Sequence, residues 1–421
     1  MKPLKILLIE DDPFTQEDIR EALESFGHEV VGIADSFERA SELVESFSFI
    51  ELAFIDIQLR TSFDGIDVAS MLREKTSAKL IFLTSLTDSR IVHHAKRLKI
   101  DGYLVKPFKE EDIRIAIEML DLAPGDEVIM PAFTIISCVH QVVRRGAIPV
   151  LVDCEIDTWN MDTEQIESKI STRTKAILVV HIYGLPTNMA KVVEIANKYG
   201  LQIIEDSAEA HGLRINGRPC GSFGLASTFS FYPNKLITTG EGGMLVTDDE
   251  DIDRRARLLR NLCFGEPRYV HENLGWNYRM TNMQAAVGVA QMERWDEFLQ
   301  RKIAIGMRYS NRLRDVSELQ LPVISTDIAQ NVFWVFGVVL KNGMKSEEVR
   351  NKLSKRGVSS RAFFCPLHLQ PALRRMGMFS EQKFPVSEWL WEYGLYLPSG
   401  VGTTDEEIDQ SADALRACLA M

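Results

Sequence analysis

Two sets of residues in this chain have the types and spacing to do chemistry. The first lies between Ile203 and Val246, where IIEDSAEAHG is followed by STFSFYPNK and LITTGEGGMLV. Asp206 closes one apolar run, and Lys235 follows a second, β-rich run into a loop closed by Gly240, Gly242 and Gly243. A lysine amine can bond to an aldehyde, and an acid can keep a ring nitrogen protonated so that the ring withdraws electrons. Those are the two requirements of pyridoxal phosphate (PLP) chemistry. The ordinary alternative is a helix-capping aspartate and an exposed lysine. The second set is Glu10, Asp11 and Asp56, each at the end of an apolar run. Brought together, three carboxylates stay ionised only beside a cation, and an oxygen-only set favours Mg²⁺. Thr84 and Lys106 end two further runs with a hydroxyl and a cation.

The elements that must position these groups alternate. Lys5–Ile9, Val30–Ala34, Leu52–Asp56, Lys79–Thr84 and Gly102–Val105 read as strands. Helical spacing covers Phe14–Phe26, Gly65–Lys75, Ser89–Leu98 and Glu110–Leu120, so a parallel, doubly wound sheet is expected, with ligands at its carboxyl edge. Further on, Val128–Pro131, Ile148–Asp153, Thr174–Val180, Leu201–Ile204 and Ser227–Tyr232 read as strands of a second α/β unit. Asn216-Gly217 is a hairpin turn signal. From about Arg301 a smaller α+β domain is expected, with a strand at Val332–Leu340 and helices at Ser346–Arg356 and Thr404–Leu419.

The 421 residues suffice for two or more domains. Forty-eight basic against sixty acidic residues give a net charge of −12, which argues against non-specific binding to nucleic acid or anionic membranes. The six cysteines, at 138, 154, 220, 263, 365 and 418, show no C-x-x-C spacing and read as reduced core thiols. MKPLKILLIEDD is neither a signal peptide nor a membrane span, so a cytoplasmic protein is expected.

Residues 3–121 resemble the response-regulator receiver family, of flavodoxin-like (βα)5 fold. The resemblance implies that Asp56 is the phosphoacceptor and that Glu10, Asp11 and Asp56 hold Mg²⁺. It further implies that Thr84 and Lys106 contact the phosphoryl group, that Tyr103 is the aromatic switch, and that a histidine kinase or phosphotransfer protein is the partner. EDSAEAHG, FSFYPNK, TTGEGGM and GWNYRMTNMQAA resemble the DegT/DnrJ/EryC1/StrS sugar aminotransferases, of PLP fold-type I with a small C-terminal α+β domain. That likeness implies catalytic roles for Lys235 and Asp206, and PLP contacts from Asp206, Ala208, Glu209, Ser230, Lys235 and Asn277. In relatives the asparagine reaches the neighbouring subunit, which implies a homodimer; capping of a helix near Thr281 is a competing use for Asn277. His368, in SRAFFCPLH, matches the substrate-side loop, whereas His181 reads as a core histidine. The implied substrates are glutamate and a nucleotide-linked keto-deoxysugar such as GDP-4-keto-6-deoxymannose, for surface polysaccharide.

This reading divides the chain into a receiver (1–121), an aminotransferase large domain (122–300) and its small domain (301–421). No linker separates the first two. In relatives a Ser-Gly-Thr turn at a helix N-terminus binds the PLP phosphate; Phe108-Lys109-Glu110 stand at the matching place, and the family's preceding segment is expected to be missing. Ile135 takes the place of a ring-stacking aromatic. A rival reading makes the chain a phosphorelay protein whose aminotransferase portion serves dimerisation or binding without catalysis.

Overall fold

The computed structural model describes residues 4–11, 16, 20, 29–47, 49–56, 59, 65–76, 78–84, 102–105, 111–267, 269–271 and 273–419; of 82–84, 102–105, 111 and 112 it describes the backbone only. The chain forms two compact units, Met1–Phe108 and Lys109–Met421.

In the first unit the strands are β1 (Lys5–Ile9), β2 (Glu29–Ala34), β3 (Leu52–Asp56), β4 (Lys79–Thr84) and β5 (Gly102–Val105). They pair in parallel in the order β2-β1-β3-β4-β5, as a flavodoxin-like sheet does. A parallel sheet is covered on both faces, so an interior strand such as β1 must be apolar where it is covered. Accordingly Ile6, Leu7, Leu8 and Ile9 are all fully buried. Helix Phe37–Ser46 starts at Ser36, whose hydroxyl accepts the Arg39 amide, and it buries Ala40, Leu43 and Val44. Helix Gly65–Lys75 buries Val68, Ala69, Met71 and Leu72 in the same core. The strand order sets β1 beside β3, so the acids that end these strands share one edge. The expected helix Ser89–Leu98, most of Phe14–Phe26, and Lys106 lie outside the described residues, as do the side chains of Thr84 and Tyr103.

The second unit carries a six-stranded sheet in the order β13-β12-β9-β8-β6-β7. Its strands are β6 (Glu127–Pro131), β7 (Ile148–Val152), β8 (Thr174–Val180), β9 (Gln202–Asp206), β12 (Ala226–Ser230) and β13 (Gly243–Val246). All pairings are parallel except that of β12 with β13. β10 (Arg214–Ile215) and β11 (Arg218–Pro219) form the hairpin signalled by Asn216-Gly217, both of which take the positive φ that its turn needs. A smaller antiparallel sheet joins β14 (Leu319–Gln320), β15 (Phe336–Leu340), β17 (Gly394–Leu397) and β16 (Arg361–Ala362).

Two helices bear on the expected divisions. Helix Glu111–Glu118, expected to close the receiver at residue 121, belongs to the second unit. Ile113, Ile115, Ala116, Ile117 and Met119 are buried in one core with Val128, Val139 and Ala226. Apolar side chains on two sides of this helix are thereby covered within the second unit, which fixes where it packs. The second boundary, at 300/301, falls inside the continuous helix Trp295–Leu313, whose Ile305, Tyr309 and Leu313 enter the small domain's core.

Candidate functional site

The receiver's acids converge. Glu10 and Asp11 follow β1, Asp56 ends β3, and one carboxylate oxygen from each lies within 4.8 Å of the others. Glu10 is buried, and Asp11 and Asp56 are half-buried. Three hard oxygen donors partly withdrawn from water are a fitting cradle for a small divalent cation.

The second unit's site is built on β9 and β12, adjacent parallel strands in which Thr228 stands opposite Asp206. Asp206 ends β9 and is held at both oxygens. Oδ1 accepts the Ala208 amide at 3.0 Å, and Oδ2 accepts the Cys138 thiol at 3.1 Å. Burial, with the negative charge of Asp206 beside it, pushes the Cys138 thiol well up, so it remains a donor at neutral pH.

Lys235 sits just past β12 on a tight turn, its amide bonded to the Tyr232 carbonyl at 2.9 Å. Its ammonium lies 4.0 Å from Glu209 Oε1 and 4.0 Å from the centre of the Trp334 ring. The Tyr183 amide holds the other Glu209 oxygen at 2.8 Å. Burial drives Glu209 up, to about 7, and Lys235 down; each charge partly offsets the other's desolvation. A lysine brought closer to its neutral form is better prepared to attack an aldehyde.

Of the aromatic residues nearby, Trp334 meets Lys235 and Tyr183 meets Glu209 through its amide; their rings stack on each other at 6.0 Å and 24°, and Tyr183 also packs against Phe133, Trp159 and Phe363. His211 packs between Phe229 and Phe231, and its Nδ1 accepts the Ile237 amide at 3.5 Å. Behind β9, the Glu205 carboxylate accepts the amides of Gly221, Phe223 and Gly224 and bonds His181 Nε2 at 3.1 Å. The Thr187 amide donates to His181 Nδ1. With Nδ1 accepting, the ring's proton sits on Nε2 and points at Glu205, so His181 is the enclosed core histidine that the sequence implied.

Of the expected cofactor residues, the structure brings together Asp206, Ala208, Glu209 and Lys235. The Ser230 hydroxyl, half-buried at the end of β12, accepts the Tyr232 amide at 3.3 Å. Asn277 stands apart, on the wall of a cavity of about 900 Å³ that also includes Thr239, Glu241 and Arg279. Its Oδ1 accepts Arg279 Nε at 2.7 Å, and the helix after it is capped by Thr281 rather than by Asn277. His368, expected on the substrate side, is fully buried, bonds Glu388 at 3.0 Å and packs edge-on against Phe384. Ile135 leads into helix Ile136–Arg144 with its side chain about half exposed. The Phe108-Lys109-Glu110 turn lies outside the described residues.

Sequence reasoning missed Cys138, Trp334 and His211. His211 was visible inside EDSAEAHG, whereas Trp334 lies a hundred residues from the turn it bonds and gave no local signal.

An enclosed lysine on the turn after one strand and a buried aspartate at the end of its parallel neighbour, within a fold of this topology, define the class: a PLP-dependent aminotransferase of fold-type I, joined here to a receiver. The model of the DegT/DnrJ/EryC1/StrS aminotransferase family matches residues 111–416, and that of the response regulator receiver domain matches residues 6–118. The chain belongs to the DegT/DnrJ/EryC1/StrS aminotransferase family and carries a receiver domain ahead of it. It is 39% identical to the GDP-perosamine synthase of Escherichia coli O157:H7 over 299 residues, 70% of this chain and 80% of that protein. It is 38% identical to the GDP-perosamine synthase of Caulobacter vibrioides, over 72% of this chain and 82% of that one. Among solved structures, Streptomyces venezuelae DesV in complex with a ketimine intermediate aligns at a TM-score of 0.68 with 35% identity, covering 73% of this chain and 82% of DesV. The PLP form of Streptococcus pneumoniae Spr1654 aligns at 0.69 with 26% identity, over 73% and 84%. Among the described residues no helix is long and apolar enough to cross a membrane.

Proposed function

We propose that the second unit transfers an amino group, taken from glutamate, to the keto carbon of a nucleotide-linked deoxysugar resembling GDP-4-keto-6-deoxymannose, in surface-polysaccharide synthesis in the cytoplasm. One observation carries this reading: the enclosed Lys235 ammonium, 4.0 Å from Glu209, on the turn that follows the strand paired with that of Asp206. When bound, PLP supplies the electron sink that lets a proton leave the donor's carbon. Asp206, aimed by Ala208 and Cys138, would hold the proton of the ring nitrogen. Ala208 would line the ring face, Glu209 would face the ring hydroxyl, and Ser230 would take part of the phosphate. Lys235 would bind the aldehyde and then carry the proton between donor and acceptor carbons as a general acid–base. Trp334 over Lys235 and Tyr183 against Glu209 would keep water from that proton.

Helix Asn282–Met292 supports a homodimer. It buries no residue in this chain, yet it exposes Met283, Val287, Val289 and Met292. An apolar helix so exposed calls for a partner surface, and a second copy would bring Asn277 towards a neighbouring site.

For the receiver, the reading is that Asp56 takes phosphate from a histidine kinase or phosphotransfer protein, with Glu10, Asp11 and Asp56 holding Mg²⁺; the clustering of their oxygens within 4.8 Å supports it. A second reading of the whole chain is a phosphorelay protein whose aminotransferase portion dimerises or binds without catalysis; Phe108-Lys109-Glu110 in place of the family's Ser-Gly-Thr phosphate turn motivates it.

Absorbance separates the two. Protein mixed with PLP should gain a visible band and a borohydride-fixed adduct on Lys235, both lost in Lys235→Ala. A colourless protein that still takes up phosphate at Asp56 would establish the second reading.

A further inference from the structure

Lys235 is held by a residue from a distant part of the chain. The Trp334 indole N–H donates to the carbonyl of Asn234, immediately before the lysine, at 3.2 Å. The same ring presents its face to the Lys235 ammonium at 4.0 Å. One side chain thus grips both the backbone of the turn and the charged end of the lysine. The ring is 7% exposed, so the ammonium meets it largely without water between, where such a contact is strongest.

The indole is itself aimed by backbone in an uncommon conformation. Phe333, just before it, has φ 50, and Tyr183, stacked on the indole, has φ 54. Bulky residues with positive φ persist only where their surroundings hold them there. Here the Asn331 side chain accepts the Phe333 amide at 2.6 Å, and the Val332 amide donates to the Gly184 carbonyl at 2.9 Å. A Cβ on Gly184 would stand 2.6 Å from the Trp334 backbone nitrogen and 2.8 Å from that of Phe333, so the two loops meet only because position 184 has no side chain. Two segments with positive φ, far apart in the chain, therefore converge on the indole that meets Lys235.

We propose that Trp334 is a positioning residue for Lys235: it fixes the turn through Asn234 and holds the free ammonium over its ring, at the distance from Glu209 from which the amine attacks a carbonyl. Trp334 acts through the lysine and needs no contact with substrate. This rests on the reading of Lys235 as the residue that binds the PLP aldehyde, and the test keeps the two apart.

The first measurement needs no cofactor. Protein methylated on its lysines with ¹³C-formaldehyde and borohydride is examined by NMR, with the Lys235 signal assigned by its loss in Lys235→Arg. The Lys235 methyl signal is expected upfield of those of exposed lysines, shielded by the indole, and is expected to return to the exposed-lysine position in Trp334→Leu. A wild-type signal already at that position overturns the proposal. The second measurement is the rate at which PLP becomes borohydride-fixed on Lys235, as a function of pH. Trp334→Leu should slow capture on the order of tenfold, and Trp334→Phe, which keeps a ring, should recover most of the rate. Capture by Trp334→Leu at the wild-type rate and pH midpoint also overturns it. A shielded Lys235 signal in a wild-type protein that never captures PLP would leave the placement standing and remove the catalytic reading instead.

Discussion

Arg255 grips Asp121 with both terminal nitrogens, at 3.0 and 2.6 Å. The contact closes a helix that both families claim: the receiver match runs through residue 118 and the aminotransferase match begins at residue 111. Arg145 adds a pair with Glu118 at 3.1 Å, and Arg114 lies over the Trp276 ring at 4.0 Å. These charges dress the rim of a contact whose strength comes from Ile113, Ala116 and Ile117 beneath it.

The two kinds of contact should differ in size. Asp121 is largely exposed, so Asp121→Ala should cost less than about 1 kcal/mol of second-unit stability. Ile117 is fully buried, and Ile117→Ala should cost about 2–5 kcal/mol. Urea unfolding followed by tryptophan fluorescence measures both. Equal losses would mean that the helix is held by charge rather than by packing.

Glu205 has four hydrogen-bond partners in a site closed to water. Removing its carboxylate leaves three amides and an imidazole N–H unpaired. Glu205→Ala is therefore expected to destabilise the protein by about 3–5 kcal/mol, since each buried donor left unpaired costs about 1–3 kcal/mol. Calorimetry should show a lowered melting temperature, with Glu205→Gln less affected.

His211 is pushed down to about 3, first by burial and then by the charge of Lys235. Its folded value lies below its unfolded value, so below about pH 6.5 the unfolded chain binds a proton that the folded chain does not. Stability should then be complete above pH 6.5 and decline as pH falls towards 3. This one group contributes a slope of up to about 1.4 kcal/mol per pH unit. Unfolding midpoints measured from pH 7 to 5 should fall more gently in His211→Gln. A parallel fall in both proteins would count against a buried, neutral imidazole.

In the receiver, Asp56→Asn is expected to abolish phosphate uptake from acetyl phosphate. Asp11→Asn, or chelation of Mg²⁺, should do the same by removing the cation that neutralises the site. Phosphate-affinity electrophoresis reads each case. Uptake that persists in Asp56→Asn would move the acceptor to another residue.

Much of this molecule was legible in its sequence because the deciding forces act over a few residues. Short, β-branched apolar runs such as Ile6–Ile9 and Leu201–Ile204, too brief for a helix, read as buried strands, and a strand that ends in Asp56 or Asp206 delivers that acid to the sheet's edge. Asn216-Gly217 determined its hairpin for the same local reason, the ease with which both residues take positive φ. What tertiary structure alone decided concerns surfaces that more than one partner could satisfy. Helix Glu111–Glu118 carries isoleucines that would suit either sheet, and nothing in its periodicity says which sheet it covers; packing against Val128, Val139 and Ala226 settled that. The same holds for His368, whose motif pointed to a substrate loop while Phe384 and Glu388 enclosed it. Trp334 reached Lys235 across a hundred residues because burial rewards apolar area wherever it comes from, a force with no signature in local spacing.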